Sequence, residues 1–456
     1  MTKFVFDEGK RVGLLAQKLF PDGIRLERIP AAEKHAEQSM AALKNRKPLF
    51  EAGFIYGHVY AIADILVPVE DDEWDLYEVK SGTSIGEHHY HDVAFQRYTY
   101  EGAGLKIRKC FLVYVDNTFI KQGEIDPKNF FIKTDVTVIT GDMMKDISAH
   151  VDEMVKVMAQ RGAPATQIGP YCSKPHDCPL QDICWEPVSA EGNVFTLYSG
   201  GKKCFDLWDK GIENVADIPD GYKLNEKQLI QVHSSRKNEP FIDRPAIKKF
   251  LKKLEYPLYF LDFETLASAL PIYDRTSPYE AVPFQFSLYR IKSKGAEPER
   301  SSYLAPGDVD PRPEVLRRLK EELGKGGSII AYYAAFELQC LRRSSMVYKD
   351  YQKWFSALEG RFVDLLEPFK NFYYYNPKQA GSASLKAVLP AITNRSYSGL
   401  EIAEGGTASV EYYRVTFDKS VDRADREAVR AALEKYCDLD TFGMIEIVKA
   451  LNEIVK

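Results

Sequence analysis

Apolar and polar positions along the chain change period several times, and each change predicts an element. Stretches rich in Val, Ile and Tyr predict strands over 59–69, 76–80, 109–114 and 134–140. Apolar positions three and four apart predict helices over 12–19, 31–43, 91–100 and 147–160. A segment containing Pro and Cys follows over 164–187, then short polar helices over 190–256. The second half resumes with strands over 258–263, 284–291 and 328–333 and helices over 313–323, 334–342 and 422–454. Helices and strands in mixed order indicate an α/β architecture in both halves. The expected division is a first domain over 1–188, a helical linker over 189–255 and a second domain over 256–456.

Two of these strands carry acids where the pattern calls for apolar residues. Asp64 sits inside the apolar run from Tyr60 to Val67, and a buried strand tolerates a carboxylate only when something pairs with it. Glu78 and Lys80, two apart on the next strand, share a face. Asp64 and Glu78 are candidate oxygen ligands for a cation such as Mg²⁺. Lys80 is placed to orient an attacking water and to stabilise charge developing on phosphorus. Gln96 and Tyr100, four apart, share a helix face and can hydrogen-bond a phosphate or that water. Glu-x-Lys alone is common and reads as an ion pair on a hairpin. Its company on strand, strand and helix, in that order, points to phosphodiester chemistry. His88, His89 and His91 read as loop and helix-start residues, and Glu51 as an exposed loop acid.

The second anomaly is Asp262 and Glu264, on one face of the apolar strand YPLYFLDFET. Metal ligation is the economical explanation for two acids there. Glu337 falls in the first turn of a later helix, and Tyr436 and Asp440 are four apart on the last one. Acids so arranged can bind two cations roughly 4 Å apart, with Tyr436 orienting the attacking water. Asp364 reads as a strand-end cap, and the stretch 381–386 as a helix cap or a phosphate contact.

Composition changes this picture little, and charge changes it once. A net charge of −5 argues against bulk coating of DNA, which needs a basic surface. It leaves a nuclease open, because bound Mg²⁺ restores charge where carboxylates remove it. No stretch approaches the ~20 apolar residues of a membrane span, and the first residues from Met1 lack a signal-peptide core. No membrane association and a cytoplasmic location are therefore expected. Three of the seven cysteines, Cys172, Cys178 and Cys184, cluster and suggest an iron–sulfur cluster or zinc. Cys110, Cys340 and Cys437 read as core residues.

The segments IADILVPVEDDEWDLYEVKSG and HDVAFQRYTY resemble the RecB-like branch of the PD-(D/E)XK nucleases. That resemblance makes Asp64 and Glu78 metal ligands, Lys80 catalytic, and Gln96 and Tyr100 the helix motif of the branch. The upstream His of that branch has no convincing match, with Lys10 and His35 in the general region. Cluster-containing members pair such a Cys triplet with an N-terminal Cys. Here no cysteine precedes Cys110, so a fourth ligand is not found, and His176 and Cys204 are the available substitutes.

The second set resembles RNase H-like 3′–5′ exonucleases of the DEDD class whose last motif is Tyr-x-x-x-Asp. Tyr333 and Glu337 depart from the Asn and Asp usual in the second motif. The order of parts, with LAQKLFPDG, YFLDFET and GSASLKAVLPAI, resembles a bacterial family of unknown function that fuses the two modules. These resemblances imply a nuclease using Mg²⁺ or Mn²⁺, with nucleic acid as partner, DNA before RNA. A binding module or scaffold with one or both sites degenerate, and a nucleotide or small-phosphoester hydrolase, remain as alternatives.

Overall fold

The computed structural model describes residues 2–188, 191–393 and 395–456. Met1, which opens the N-terminal reading above, and Ser189 and Ala190, where the expected linker begins, lie outside the described residues. The architecture is α/β, in two compact units. One unit is Met1–Ala165 with Ala267–Glu280, the other Thr166–Leu266 with Ala281–Lys456.

In the first unit, α1 (Thr2–Gln17), β1 (Ile24–Arg25) and α2 (Ala32–Leu43) precede the strands β2 (Leu49–Tyr56), β3 (Val59–Pro68) and β4 (Glu73–Lys80). Then come α3 (Glu87–Gly102), β5 (Lys106–Val115), α4 (Pro127–Phe130), β6 (Phe131–Asp135) and α5 (Thr137–Met158). The six strands form one sheet in sequence order. The β2–β3, β3–β4 and β5–β6 pairings are antiparallel, whereas β1 lies parallel to β2 and β4 parallel to β5. A parallel pair needs a crossover, and α3 supplies the one from β4 to β5. Alternation along each strand splits the core. Leu49, Ala63, Leu66, Leu76 and Leu112 pack with Val93 and Tyr100 of α3, whereas Phe50, Ile65, Tyr77 and Val113 pack with Ala16 of α1.

The strand expected over 134–140 is instead a strand end followed by a helix start. The Asp135 carboxylate accepts the Thr137 N–H at 3.0 Å and the Thr137 hydroxyl at 2.6 Å. This local capping turns a β-branched run into the first turn of α5.

The segment Ala267–Glu280 belongs to the first unit although it follows a strand of the second sheet. Buried Glu8 of α1 holds it by accepting the Ser268 hydroxyl and, at 2.9 Å, the Ala269 N–H. The Tyr279 hydroxyl donates to the Ser81 carbonyl at 2.9 Å, immediately after Lys80. The first compact unit is thus discontinuous in sequence and differs from the continuous 1–188 expected.

The second unit opens with α6 (Gln181–Cys184), α7 (Lys202–Trp208), α8 (Glu226–Lys237), β7 (Phe241–Ile242) and α9 (Arg244–Leu251). The helical stretch before α9 has a small core of its own, including Val194, Leu207, Val215, Ile218 and Val232. Next come β8 (Leu258–Leu266), β9 (Val282–Ile291), β10 (Glu299–Leu304), α10 (Arg312–Glu322), β11 (Ile329–Ala331) and α11 (Ala334–Val347). The remaining elements are α12 (Gln352–Leu358), β12 (Phe362–Asp364), α13 (Glu367–Lys370), β13 (Tyr374–Tyr375), α14 (Leu385–Ile392), α15 (Gly405–Phe417) and α16 (Arg423–Ile454).

Five strands form a sheet in the order β10-β9-β8-β11-β12. The first two pairings are antiparallel and the last two parallel. Tyr259, Leu261 and Phe263 of β8 face a cluster with α10, α11 and α12, and Phe260 faces one with α9, α14 and α16. Asp262 and Glu264 alternate onto the Phe260 face. Among the described residues, no helix is long and apolar enough to cross a membrane.

Candidate functional site

The acids of the second unit converge. Cys437, Asp440, Met444, Val448 and Leu451 lie three or four apart on α16 and form one buried stripe. Its apolar end packs over Phe260, which carries the acidic end to Asp262 and Glu264. Glu337 arrives from α11. A cleft of about 290 Å³ is lined by Asp262, Glu264, Glu337, Tyr436 and Asp440, with Phe336, Tyr332 and Tyr333 on its walls. Every residue expected in the second site is therefore present there.

Charge in this cleft is poorly compensated. Burial first, and then Asp440, pushes the Asp262 carboxyl well above its usual range. Burial and then Asp262 do the same to Glu264 and Glu337. Asp440 rises to about 6 through burial, held back by hydrogen bonds from Tyr397 and Tyr436 and by Lys386. Glu337 is 3% exposed, and its Oε2 has no hydrogen-bond partner. Ser287 and Gln285, cross-strand neighbours of Asp262 and Glu264, also keep a buried oxygen without a partner. Such groups are costly unless a ligand satisfies them.

Three side chains around this cleft were not expected to face it, although Lys386 belongs to the stretch 381–386 read as a helix cap or a phosphate contact. The Tyr397 hydroxyl donates to Asp440 Oδ1. Lys386 Nζ lies 5.5 Å from the Tyr436 ring centre and 5.9 Å from that of Tyr397. It gets there because α14 and α16 approach closely at Gly443, where a Cβ would stand 2.8 Å from Leu389. Cys437, read as a core residue, is buried but places its Sγ 3.5 Å from Asp262 Oδ2. The stretch before α14 caps it: the Ser384 side chain accepts the Ala387 N–H. Asp364 also caps, accepting the N–H groups of Tyr333 at 2.9 Å and Leu366 at 3.0 Å.

The first unit gathers a smaller set. Ile65 pairs with Tyr77, so Asp64 faces Glu78 one step further on. Asp64 Oδ2 accepts the Val79 N–H at 2.8 Å. Lys80 Nζ bridges Glu78 at 2.8 Å and Asp92 at 2.5 Å. Gln96 Nε2 donates to Glu78 at 2.9 Å and Asp92 at 3.2 Å, and Gln96 Oε1 is buried without a partner. Burial raises Asp64 to about 6. Burial and then Asp64 raise Glu78 to about 8, with Lys80 pulling the other way. For Lys80, burial opposes the charge, but Glu78 and Asp92 outweigh it and hold the pKa above its usual value.

Glu51 is not an exposed loop acid. It lies in β2 at φ 61° between the pairs Phe50–Ile65 and Ala52–Ala63, opposite Asp64, and binds Arg28 at 2.6 Å. His35 of α2 is fully buried with Nδ1 2.5 Å from the Tyr60 hydroxyl. Burial and then Arg28 lower its pKa. Gly53 is required beside it, since a Cβ there would stand 2.7 Å from His35 Nδ1. The His89 ring accepts the Gly86 N–H at the start of α3 at 3.1 Å, in keeping with a helix-start role.

Tyr100 corrects the expectation of a residue facing substrate. Its hydroxyl accepts the Ala63 N–H at 2.7 Å and donates to the Ala52 carbonyl, and the side chain is fully buried. It ties α3 to β2 and β3 behind the acids and has no hydrogen atom to offer a phosphate. Tyr100→Phe should therefore cost stability, about 1–3 kcal/mol for backbone groups left unpaired. Chemical denaturation checks this, and an undiminished midpoint would refute the bridging role.

Cys172 is buried, and Cys178 and Cys184 are half-buried; all three are free thiols. Among the described residues, the one set of three Cys, His, Asp or Glu ligand atoms lying within 4.8 Å of one another is Asp262, Glu264 and Cys437. Cys204 belongs to the small helical core, where burial raises its thiol pKa, and His176 is exposed.

A family model described as a domain of unknown function, DUF2779, matches residues 259–384. The match spans Asp262, Glu264 and Glu337 and ends before Tyr436 and Asp440. Among curated proteins, the chain is similar to the uncharacterized MG366 homolog of Mycoplasma pneumoniae, 24% identical over 228 residues. It is also similar to uncharacterized MG366 of Mycoplasma genitalium, 22% identical over 230 residues. Each alignment covers 46% of this chain and 34% of the relative, so the chain spans about a third of the length of the curated relatives it matches.

Proposed function

We propose that this protein is a metal-dependent nuclease that hydrolyses phosphodiester bonds of DNA or RNA. One observation carries the reading: four acids from three elements, β8, α11 and α16, three of them buried and Asp262 half-buried, line one cleft in which Glu337 Oε2 has no partner. Oxygen-rich and only partly compensated by Lys386, that donor set fits Mg²⁺ or Mn²⁺. Asp262, Glu264, Glu337 and Asp440 would hold the ions, which when bound activate water and stabilise the leaving oxygen. Tyr397 fixes the Asp440 carboxylate by donating to its Oδ1. Tyr436, which hydrogen-bonds Asp440 from the same helix, orients the attacking water. Lys386 offers a positive charge for a phosphate at the edge of the acids.

The strand order β10-β9-β8-β11-β12, antiparallel then parallel, supports reading this unit as an RNase H-like exonuclease module of the DEDD class. The sheet, the α3 crossover and the set Asp64, Glu78, Lys80 and Gln96 support a RecB-like PD-(D/E)XK module in the first unit. There Asp64 and Glu78 are the ligands, and Lys80 the group that orients water. An iron–sulfur cluster on Cys172, Cys178 and Cys184 would need a fourth ligand and stays outside this proposal.

The test is incubation with end-labelled single- and double-stranded oligonucleotides, with Mg²⁺, with Mn²⁺ and with chelator. Metal-dependent shortening is expected, with Glu78→Ala and Asp262→Ala each removing its own share. Equal cleavage by the double variant and the parent would refute the assignment. A nucleic-acid clamp with degenerate sites predicts retention of the oligonucleotide with no product under any ion.

A further inference from the structure

Cys437 follows Tyr436 on α16, one turn before Asp440. Its buried Sγ lies 3.5 Å from Asp262 Oδ2 and 3.9 Å from the Asp262 carbonyl oxygen. One ligand atom each from Asp262, Glu264 and Cys437 can be chosen so that all lie within 4.8 Å of one another. A thiol is a weak hydrogen-bond donor, so hydrogen bonding alone explains poorly why sulfur stands beside two carboxylates. A second observation is independent of the thiol. Glu337, from another element, lines the same cleft with Oε2 buried and unpartnered.

We propose that Asp262, Glu264 and Cys437, with Glu337 as the remaining carboxylate, form a site for a thiophilic divalent cation of the Zn²⁺ class. This rests on the reading of the same acids as a cation site and adds a second class of ion to it. Mg²⁺ takes oxygen ligands and leaves the sulfur unused. Zn²⁺ takes a Cys thiolate at about 2.3 Å and carboxylate oxygens at about 2.0–2.2 Å. It also ranks above Mn²⁺ at sites of mixed donors. On binding, the sulfur forms a bond to the ion and its proton leaves to solvent. Zn²⁺ thereby competes with the ions that support cleavage and holds the cleft closed to them, acting as an inhibitor.

The experiment uses the full chain carrying C172S, C178S and C184S as parent, so that those thiols do not contribute. Cd²⁺ serves as the spectroscopic probe. A sulfur-to-cadmium charge-transfer band in the ultraviolet is expected in the parent, displaced by Zn²⁺ and lost in C437S. Zn²⁺ affinity, by competition titration, should fall in C437S by more than the ~10–100-fold typical of outer-shell partners. Mn²⁺ affinity, by electron paramagnetic resonance, should change far less. C437A leaves no hydroxyl unpaired in the core and decides the matter if C437S does not fold, as judged by near-ultraviolet circular dichroism.

An undiminished band or an unchanged Zn²⁺ affinity in the Cys437 variants overturns the sulfur ligand. If Mn²⁺ binding is nonetheless lost in D262N, the cation-site reading stands alone. Failure of the parent to bind either Mn²⁺ or Zn²⁺ overturns both.

Discussion

Asp262→Asn should abolish cleavage by the second unit and, without divalent ions, make the protein more stable. The first effect follows from ligation. A bound cation supplies several kcal/mol of transition-state stabilisation, and each ~1.4 kcal/mol is tenfold in rate, so a loss of at least about a thousandfold is expected. The second effect follows from crowding. Asp262 shares its surroundings with Glu264, Glu337 and Asp440; burial and then Asp440 push its pKa well up, and it in turn raises Glu264 and Glu337. An amide of the same shape removes one of four repelling groups and still accepts a hydrogen bond from the Cys437 thiol. A gain of about 1 kcal/mol would raise Tm by roughly 2–4 °C for a unit of this size. Activity bought at the expense of stability is a common signature of functional sites. A D262N protein that is less stable than the parent in chelator would show that Asp262 holds the fold together rather than a cation.

A second large effect is a fall in cation-free stability as pH rises from 5 to 8, reversed by Mn²⁺. Glu78 is raised to about 8, Asp64 and Asp440 to about 6, and Asp262, Glu264 and Glu337 well above their usual range. In the unfolded chain these groups titrate near 4. Between those values the folded protein binds more protons than the unfolded one, so stability declines with rising pH. Their contribution is fully present below the unfolded pKa and is lost as each folded pKa is passed. A cation takes the place of the protons and is worth RT ln(1 + [L]/Kd), about 2.7 kcal/mol at a hundred times Kd. Thermal melts at pH 5, 6.5 and 8, with chelator and with Mn²⁺, check this. A Tm in chelator that is flat or rising across that range would contradict the buried, only partly compensated acids. D262N and Glu78→Gln should each flatten the slope.

Much of this molecule is legible in one dimension, for a physical reason. Strand and helix periods are local, so β3, β8, α3 and the long α16 can be read from their own residues. Asp64, Glu78, Asp262 and Glu264 stand out because an acid in an apolar strand violates its local pattern. Tyr436 and Asp440 share a face by helical spacing alone. Where a side chain competes with the backbone pattern, the reading fails: Asp135 converts the Val- and Thr-rich run after it into the start of α5.

What folding in three dimensions decided is which groups meet. Nothing local distinguishes Cys437 from a core cysteine, yet the packing of α16 on Phe260 sets its sulfur beside Asp262. Lys386 reaches the acids because α14 lies close against α16 at Gly443, and Tyr397, beyond the end of α14, donates to Asp440. Tyr100 has the spacing of a site residue, but the backbone of β2 and β3 consumes its hydroxyl. The first unit borrows Ala267–Glu280 from far along the chain, through a buried Glu8 that carries no mark in the sequence. Periodicity is a property of neighbours along the chain; ligand sets, caps at a distance and discontinuous domains are properties of neighbours in space, and only the packed core selects those.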